Sequence, residues 1–269
     1  MALKVTINGK IYDAEKDEYI LDVCHRNRIL IPTLCDHESL KGLGACRLCV
    51  VEVNEGNGNR VVVSCVYPLS RDCEVYTESE KIKGIRKTIL SMLKAMAPEG
   101  ERLSSLCQIY GVDQDAGSGR FAIAKVAEGN SSEKRLASSC VLCGLCVQAC
   151  ASLGSGAIST VGRGVGKRIS TPYDEPSADC VGCGSCAAVC PTKAIECIET
   201  GESRSIWGRE FTLLKCASCG RAFATREEYA LALEKAAQED AGVPDTVLCA
   251  ACRKKKSADV FAAVFGERA

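Results

Sequence analysis

The sequence lacks any apolar run approaching the roughly eighteen residues that a membrane-crossing helix needs. Its N-terminus, MALKVTINGKIYDAEKDEYI, lacks the basic-then-apolar layout of a secretory signal, and its C-terminus shows no lipidation box. These absences point to a cytoplasmic protein with no membrane segment. Net charge is also missing, with 34 basic against 34 acidic residues. Thiolate-bound metal centres would make the loaded protein negative, by about −8 for four such sites. A nucleic-acid partner is therefore not expected, and the run Arg253–Lys256 reads as a solvated face or helix start. Histidine is scarce, with His25 and His37 alone, and no nucleophile–base constellation stands out.

Cysteine is plentiful, with 20 residues in 269. An extracellular disulfide scaffold could account for an even, high count. The absence of a signal peptide and the many CxxC pairs favour metal ligation instead.

Four cysteine neighbourhoods organise the chain. In residues 1–78, LKVTING and KIYDAE read as strands joined by an Asn8-Gly9 hairpin turn. DEYILDVCHRNRI reads as an amphipathic helix with Ile20, Leu21 and Cys24 on one side. LCVVEVNE, RVVVSCV and CEVYTE read as further strands. In residues 79–130, a connector, Thr77 and Glu80 fit a capping box. Ile82, Ile85, Ile89, Leu93 and Met96 form a helical stripe. A short helix is expected at ERLSSLCQIYG and a loop at residues 113–120. Residues 131–204 contain an internal repeat, each copy followed by a short apolar strand. GRGVGKRISTP between the copies lacks the third glycine of a dinucleotide fingerprint and reads as a hairpin turn. Residues 205–269 form the last module.

The repeat is Cys140-x2-Cys143-x2-Cys146-x3-Cys150 followed by Cys180-x2-Cys183-x2-Cys186-x3-Cys190. This is the bacterial ferredoxin run, whose fourth cysteine ligates the other cluster in two-cluster proteins. Three cysteines at this spacing wrap one face of a cubane, and the fourth starts a helix that points away. Cys140, Cys143, Cys146 and Cys190 are thus assigned to one 4Fe–4S cluster. Cys180, Cys183, Cys186 and Cys150 are assigned to the other. Gly144 and Gly184 let the backbone approach sulfide. Pro191 follows the second run, whereas Ala151 stands in its place after the first. Zinc is the competing occupant of any cysteine quartet, but it seldom uses this run.

Cys35-x10-Cys46-x2-Cys49-x15-Cys65 differs from the plant ferredoxin spacing but follows the same logic. A glycine-containing loop supplies the first thiolates, and a later strand contributes Cys65. The expected occupant is a 2Fe–2S cluster, with structural zinc as the alternative. Gly42 and Gly44 are read as tight-turn residues.

The stretches IPTLCDHESLKGLGACRLCVVEV and VVVSCVYPL, with the paired ferredoxin runs joined by VGRGVGKRISTP, carry a family resemblance. They resemble the N-terminal part of the large iron–sulfur subunit of respiratory complex I. The diaphorase iron–sulfur subunit of NAD-linked hydrogenases and the N-terminal half of multimeric iron-only hydrogenases are similar. The resemblance covers about residues 1–200. It implies a β-grasp 2Fe–2S ferredoxin domain, a helical connector and a two-cluster 4Fe–4S ferredoxin domain, hence an α+β fold class. Family members carry electrons between a flavin subunit that handles NAD(P)H and another catalytic site. They usually also have H-x3-C-x2-C-x5-C between the domains, for a further cluster. Here that region, APEGERLSSLCQIYGV, has only Cys107 and no histidine. That cluster is expected to be absent, which puts any fixed linear path from the 2Fe–2S site in question.

Beyond the resemblance, Cys216-x2-Cys219 and Cys249-x2-Cys252 pair as knuckles of a zinc-ribbon-like module with a terminal helix. A rubredoxin-like iron uses nearly the same spacing. Cys24, Cys73, Cys107 and Cys197 are left over and read as structural, small hydrophobes. His37 could tune the neighbouring cluster, although an exposed loop histidine is the simpler reading.

The expected function is a non-catalytic electron relay in a hetero-oligomeric complex. It would pass electrons between a flavin-bearing NAD(P)H dehydrogenase subunit and a hydrogenase, formate dehydrogenase or similar subunit. A stand-alone ferredoxin-like carrier and an iron–sulfur redox sensor are the alternatives.

Overall fold

A computed structural model of the chain describes residues 2–40, 42–98, 100–112, 139–236 and 247–265. The loop expected at residues 113–120 lies outside them. Among the described residues, no helix is long and apolar enough to cross a membrane. The chain divides into two compact units. The first comprises residues 1–149, 159–170 and 186–195; the second comprises residues 150–158, 171–185 and 196–269.

The first unit is built on a mixed sheet of order β2-β1-β5-β3-β4. Its strands are β1 (Ala2–Ile7), β2 (Lys10–Glu15), β3 (Val50–Asn54), β4 (Asn59–Val63) and β5 (Cys73–Tyr76). Only β1 and β5 pair in parallel; the other neighbours are antiparallel. Asn8 and Gly9 take positive φ values of 49° and 84°, as the two-residue hairpin turn between right-twisted strands requires. Helix α1 (Ile20–Arg26) buries Ile20, Leu21, Val23 and Cys24 against Val5, Ile7, Val51 and Val75 of the sheet. Each such aliphatic side chain contributes about 1.5–3 kcal/mol of burial energy, which anchors a helix of only seven residues.

Helix α2 (Glu80–Met96) follows, then α3 (Glu101–Ile109). The capping residue is Ser79, whose Oγ accepts the Ile82 N–H, not Thr77 as expected. Thr77 is committed elsewhere: its N–H and Oγ1 bond the Asn8 side chain at 2.9 and 2.7 Å. The buried face of α2 also differs from the expected stripe. It runs Ile82, Arg86, Leu90, Leu93 and Lys94, so two cations sit where an apolar count had placed Ile85 and Ile89.

Helices α4 (Leu145–Leu153) and α5 (Ser185–Ala188) begin within the two ferredoxin runs. In the first unit, β6 (Ser159–Val161) and β7 (Arg168–Ser170) form the hairpin expected between the runs.

The second unit holds an antiparallel sheet of order β11-β10-β9-β8. The strands are β8 (Cys197–Glu199), β9 (Ser203–Ile206), β10 (Arg209–Lys215) and β11 (Ala222–Thr225). The strand that follows the second ferredoxin run is thus hydrogen-bonded into the sheet that leads to the C-terminal knuckles, across the boundary expected at residue 204. Helix α6 (Arg226–Lys235) starts with a complete capping box between Thr225 and Glu228, and α7 (Ala250–Phe265) ends the described chain.

Candidate iron–sulfur and metal centres

The loop before β3 and the turn after β4 bring the first quartet together. Cys35, Cys46, Cys49 and Cys65 are all buried. The Cys35 and Cys46 sulfurs lie 3.4 Å apart. Backbone N–H groups are aimed at them: Leu34 donates to Cys46 Sγ at 3.4 Å, and Cys46 donates to Cys35 Sγ at 3.3 Å. Cys65 stands not on a strand, as expected, but in a single 3-10 turn, Ser64–Val66. Ser64 makes that turn by donating its N–H and hydroxyl to the Cys49 carbonyl at 3.1 and 2.7 Å. Gly42 is needed for space rather than for a turn: a Cβ there would meet the Cys65 carbonyl at 3.0 Å.

The four thiols shift one another's protonation. The Cys46 thiol, and after it Cys65, hydrogen-bonds Cys35 and pulls it down to about 2; Cys65 likewise brings Cys49 down to about 7. The same contacts push Cys46 and Cys65 up. Four buried thiols gathered this closely have the donor set of a thiolate-ligated cluster.

A charged residue stands behind this quartet that sequence reasoning missed. Arg86 is fully buried. Its Nε and Nη2 donate to the carbonyls of Leu48 and Val50, at 3.1 and 2.9 Å, on either side of Cys49. Nη1 bonds the Tyr110 hydroxyl at 2.8 Å and pairs with Glu78. The available signal was its i+4 spacing from Ile82 and i−4 spacing from Leu90, which places it on the buried side of α2.

In the same unit, Cys140, Cys143, Cys146 and Cys190 line one cavity, walled on its other sides by apolar residues such as Ile169 and Ile195. Burial raises Cys143 to about 11 and Cys146 to about 12. Burial disfavours bare thiolates there. The Ala194 N–H donates to Cys190 Sγ at 3.2 Å. This cavity adjoins the first quartet. Cys35, Cys46 and Cys143 belong to one buried core together with Leu34, Leu48 and Leu145. Leu43 Cδ1 lies 3.0 Å from where a Cβ on Gly144 would stand. Cys107, 1% exposed, is packed into this core with Leu90, Leu93 and Leu103. It is filling space there, with burial raising its thiol.

The second run is divided between the units: Cys180 and Cys183 lie with Cys150 in the second, and Cys186 falls in the first. Burial raises Cys180, Arg209 opposes that shift, and the charges of Cys150 and Cys183 add to it. Arg209 Nη1 donates to the carbonyls of Ser177, Ala178 and Cys180 at 2.8, 3.0 and 2.6 Å.

Near the C-terminus, the sulfurs of Cys216, Cys219, Cys249 and Cys252 all lie within 4.8 Å of one another. A tetrahedral zinc with Zn–S bonds of about 2.3 Å needs sulfur separations of about 3.8 Å, so the quartet fits with small adjustments. The Cys249 N–H donates to Cys216 Sγ at 3.3 Å. Arg221 Nη2 lies 3.8 Å from Cys249 Sγ. Backbone donors, led by the Cys249 N–H, hold Cys216 down to about 6. His37 accepts from the Ser39 N–H at 3.2 Å and serves its own loop. Cys24 and Cys73 are buried, and Cys197 is half-buried.

Comparison with known proteins finds two iron–sulfur domains in the chain. Residues 1–80 match the family described as 2Fe-2S iron-sulfur cluster binding domain. Residues 139–194 match the 4Fe-4S dicluster domain. The chain is related to the iron–sulfur subunits of NAD(P)H-linked hydrogenases and of complex I. It is 31% identical over 211 residues to the NADP-reducing hydrogenase subunit HndD of Solidesulfovibrio fructosivorans, covering 72% of this chain and 36% of that one. It is 32% identical over 203 residues to the NADPH-Fe(3+) oxidoreductase subunit alpha of Geobacter sulfurreducens, covering 71% and 23%. It is 30% identical over 207 residues to the NADH-ubiquinone oxidoreductase 75 kDa subunit of Reclinomonas americana, covering 72% and 29%. The chain therefore spans about a quarter to a third of the length of these relatives. Among solved structures it resembles an NAD+-reducing NiFe-hydrogenase in the H2-reduced state. The TM-score is 0.51 at 26% identity, over 63% of this chain and 74% of that one. These iron–sulfur relatives make the chain a mixed α/β protein with a 2Fe–2S domain and a 4Fe–4S dicluster domain.

Proposed function

We propose that this chain is an electron-relay subunit of an NAD(P)H-linked oxidoreductase complex. It would stand between a flavin-bearing dehydrogenase subunit and a second redox subunit of the hydrogenase or formate dehydrogenase kind. Iron–sulfur clusters, when bound, take up and release single electrons. The protein's part is to hold them close, keep water away and set their potentials.

The observation that carries the reading is the core shared by Cys35, Cys46 and Cys143. A 2Fe–2S cluster on Cys35, Cys46, Cys49 and Cys65 would share that packed core with the cluster on Cys140, Cys143, Cys146 and Cys190. Leu43 and Gly144 bring the two ligand loops into contact. No intervening cluster is required, so the missing histidine ligand does not interrupt this route. Cys150, Cys180, Cys183 and Cys186 would hold the second cubane. Zinc on Cys216, Cys219, Cys249 and Cys252 would be structural, since it has no redox chemistry.

Metal analysis of anaerobically purified protein should find about ten irons and about one zinc per chain, and stepwise reduction should give three distinct EPR signatures. About fourteen irons, or a single magnetic centre, would overturn the assignment. Stable co-purification with a flavoprotein tests the partner; a chain that elutes alone and shuttles electrons would be a free carrier.

A further inference from the structure

The C-terminal module lies beyond both matched families, the second of which ends at residue 194. Its strands and helix nevertheless reach back to the second ferredoxin run, within one compact unit. Strand β10 carries Arg209 and Phe211 at its start and delivers Cys216 at its end. Arg209 grips the three carbonyls at 177, 178 and 180, and its guanidinium stacks 4.7 Å from the Phe211 ring centre. Phe211, 1% exposed, fills the space beside Gly182 so closely that a Cβ there would lie 2.5 Å from the ring. Arg204 of β9 donates to the Gly182 carbonyl at 2.9 Å.

Strand β11 leaves the first knuckle at Arg221 and ends in Thr225, which is wholly buried and donates its hydroxyl to the Val181 carbonyl. The same hydroxyl caps α6, accepting the Glu228 N–H at 3.0 Å. At the far end of α6, Lys235 bonds the Leu153 carbonyl, three residues past Cys150. Ser155 completes the grip, accepting from Cys150 Sγ at 3.8 Å and donating to the Asp179 carbonyl at 2.6 Å.

We propose that the C-terminal four-cysteine module is a clamp that holds the Cys180–Cys183 ligand loop and the Cys150 segment in register, and that metal at Cys216, Cys219, Cys249 and Cys252 locks it. The knuckle is the link that joins β10 to β11. Metal bound there fixes the spacing of the two strands, and so the spacing of Arg209, Phe211 and Thr225 along the loop. The inference rests on the reading that these four cysteines take a metal and that Cys150, Cys180 and Cys183 serve a cubane.

The test uses the full chain, purified anaerobically, with zinc, iron and EPR read together. Cys249→Ser should lose zinc and, with it, one 4Fe–4S signal, leaving about six of about ten irons and an intact 2Fe–2S signal. Because a knuckle variant could unfold, Arg209→Gln and Thr225→Val are measured beside it. Both should keep zinc yet lose, or broaden and shift, the same 4Fe–4S signal. If Cys249→Ser loses every cluster, these two variants decide the matter. The clamp is overturned if zinc-free protein, or both loop variants, keep all three signatures of the wild type. A wild-type chain without zinc or with one cubane would instead sink the cofactor assignment itself.

Discussion

The Cys35 quartet and the Cys216 quartet each gather four thiols, but they treat solvent differently. The first is 1–5% exposed throughout. In the second, Cys219 is exposed and Cys252 half-buried. The first also has a buried guanidinium at its back, Arg86, whereas the second has an exposed one at its side, Arg221. A centre that must exchange electrons at a set potential benefits from a dry, fixed dielectric around its sulfurs. A centre that only joins two strands does not. Both quartets offer four thiols; the first is buried throughout, whereas in the second only Cys216 and Cys249 are buried.

That contrast can be broken most decisively with a chelator. Added to the native protein, it should strip about one zinc per chain while the 2Fe–2S signal persists. Loss of both together would mean that the two sites share their exposure. Next in size is Arg86→Ala. It takes the donor from the Leu48 and Val50 carbonyls, and each buried acceptor so left without a partner costs about 1–3 kcal/mol, read by chemical denaturation of the holo-protein. It should also disturb the 2Fe–2S EPR signal, because the Leu48 and Val50 carbonyls beside Cys49 lose their donor. A smaller effect is expected from Arg221→Gln, about tenfold in zinc affinity by competition with a chelator, at the low end for residues that support metal ligands. An unchanged affinity would show that the 3.8 Å contact is incidental. Smallest is Ser79→Ala, which removes the α2 cap at a cost of about 1 kcal/mol. The expected Thr77 cap predicts no loss from that change.

Much of this was readable beforehand, for identifiable reasons. The Asn8-Gly9 turn and the helix at Ile20 rest on local conformational preference and period. The duplicated ferredoxin run rests on ligand spacing, which tolerates little variation. Other features depended on tertiary partners. Thr77 has the capping-box partner Glu80 and Ser79 does not; the Asn8 side chain, 69 residues away from Thr77, occupies Thr77 and leaves the cap to Ser79. Arg86 draws its place from the Leu48 and Val50 carbonyls, some 36–38 residues away, which no local pattern announces. Cys65 follows a β-branched run, yet the strand ends two residues before it, where Ser64 bonds the Cys49 carbonyl. The join between β8 and the C-terminal strands left no mark in composition at all, since sheet pairing is written in backbone hydrogen bonds.

That join also bears on how the chain can be divided. β9 lies between β8 and β10, and four of its residues pair with β10 from Arg209 to Thr212. A fragment ending near residue 204 would cut β9 and leave β8 as an exposed ribbon with unpaired N–H and C=O groups. Such an edge recruits other strands. A cut at residue 204 therefore falls inside a sheet, and a fragment that keeps β8 paired must also keep β9.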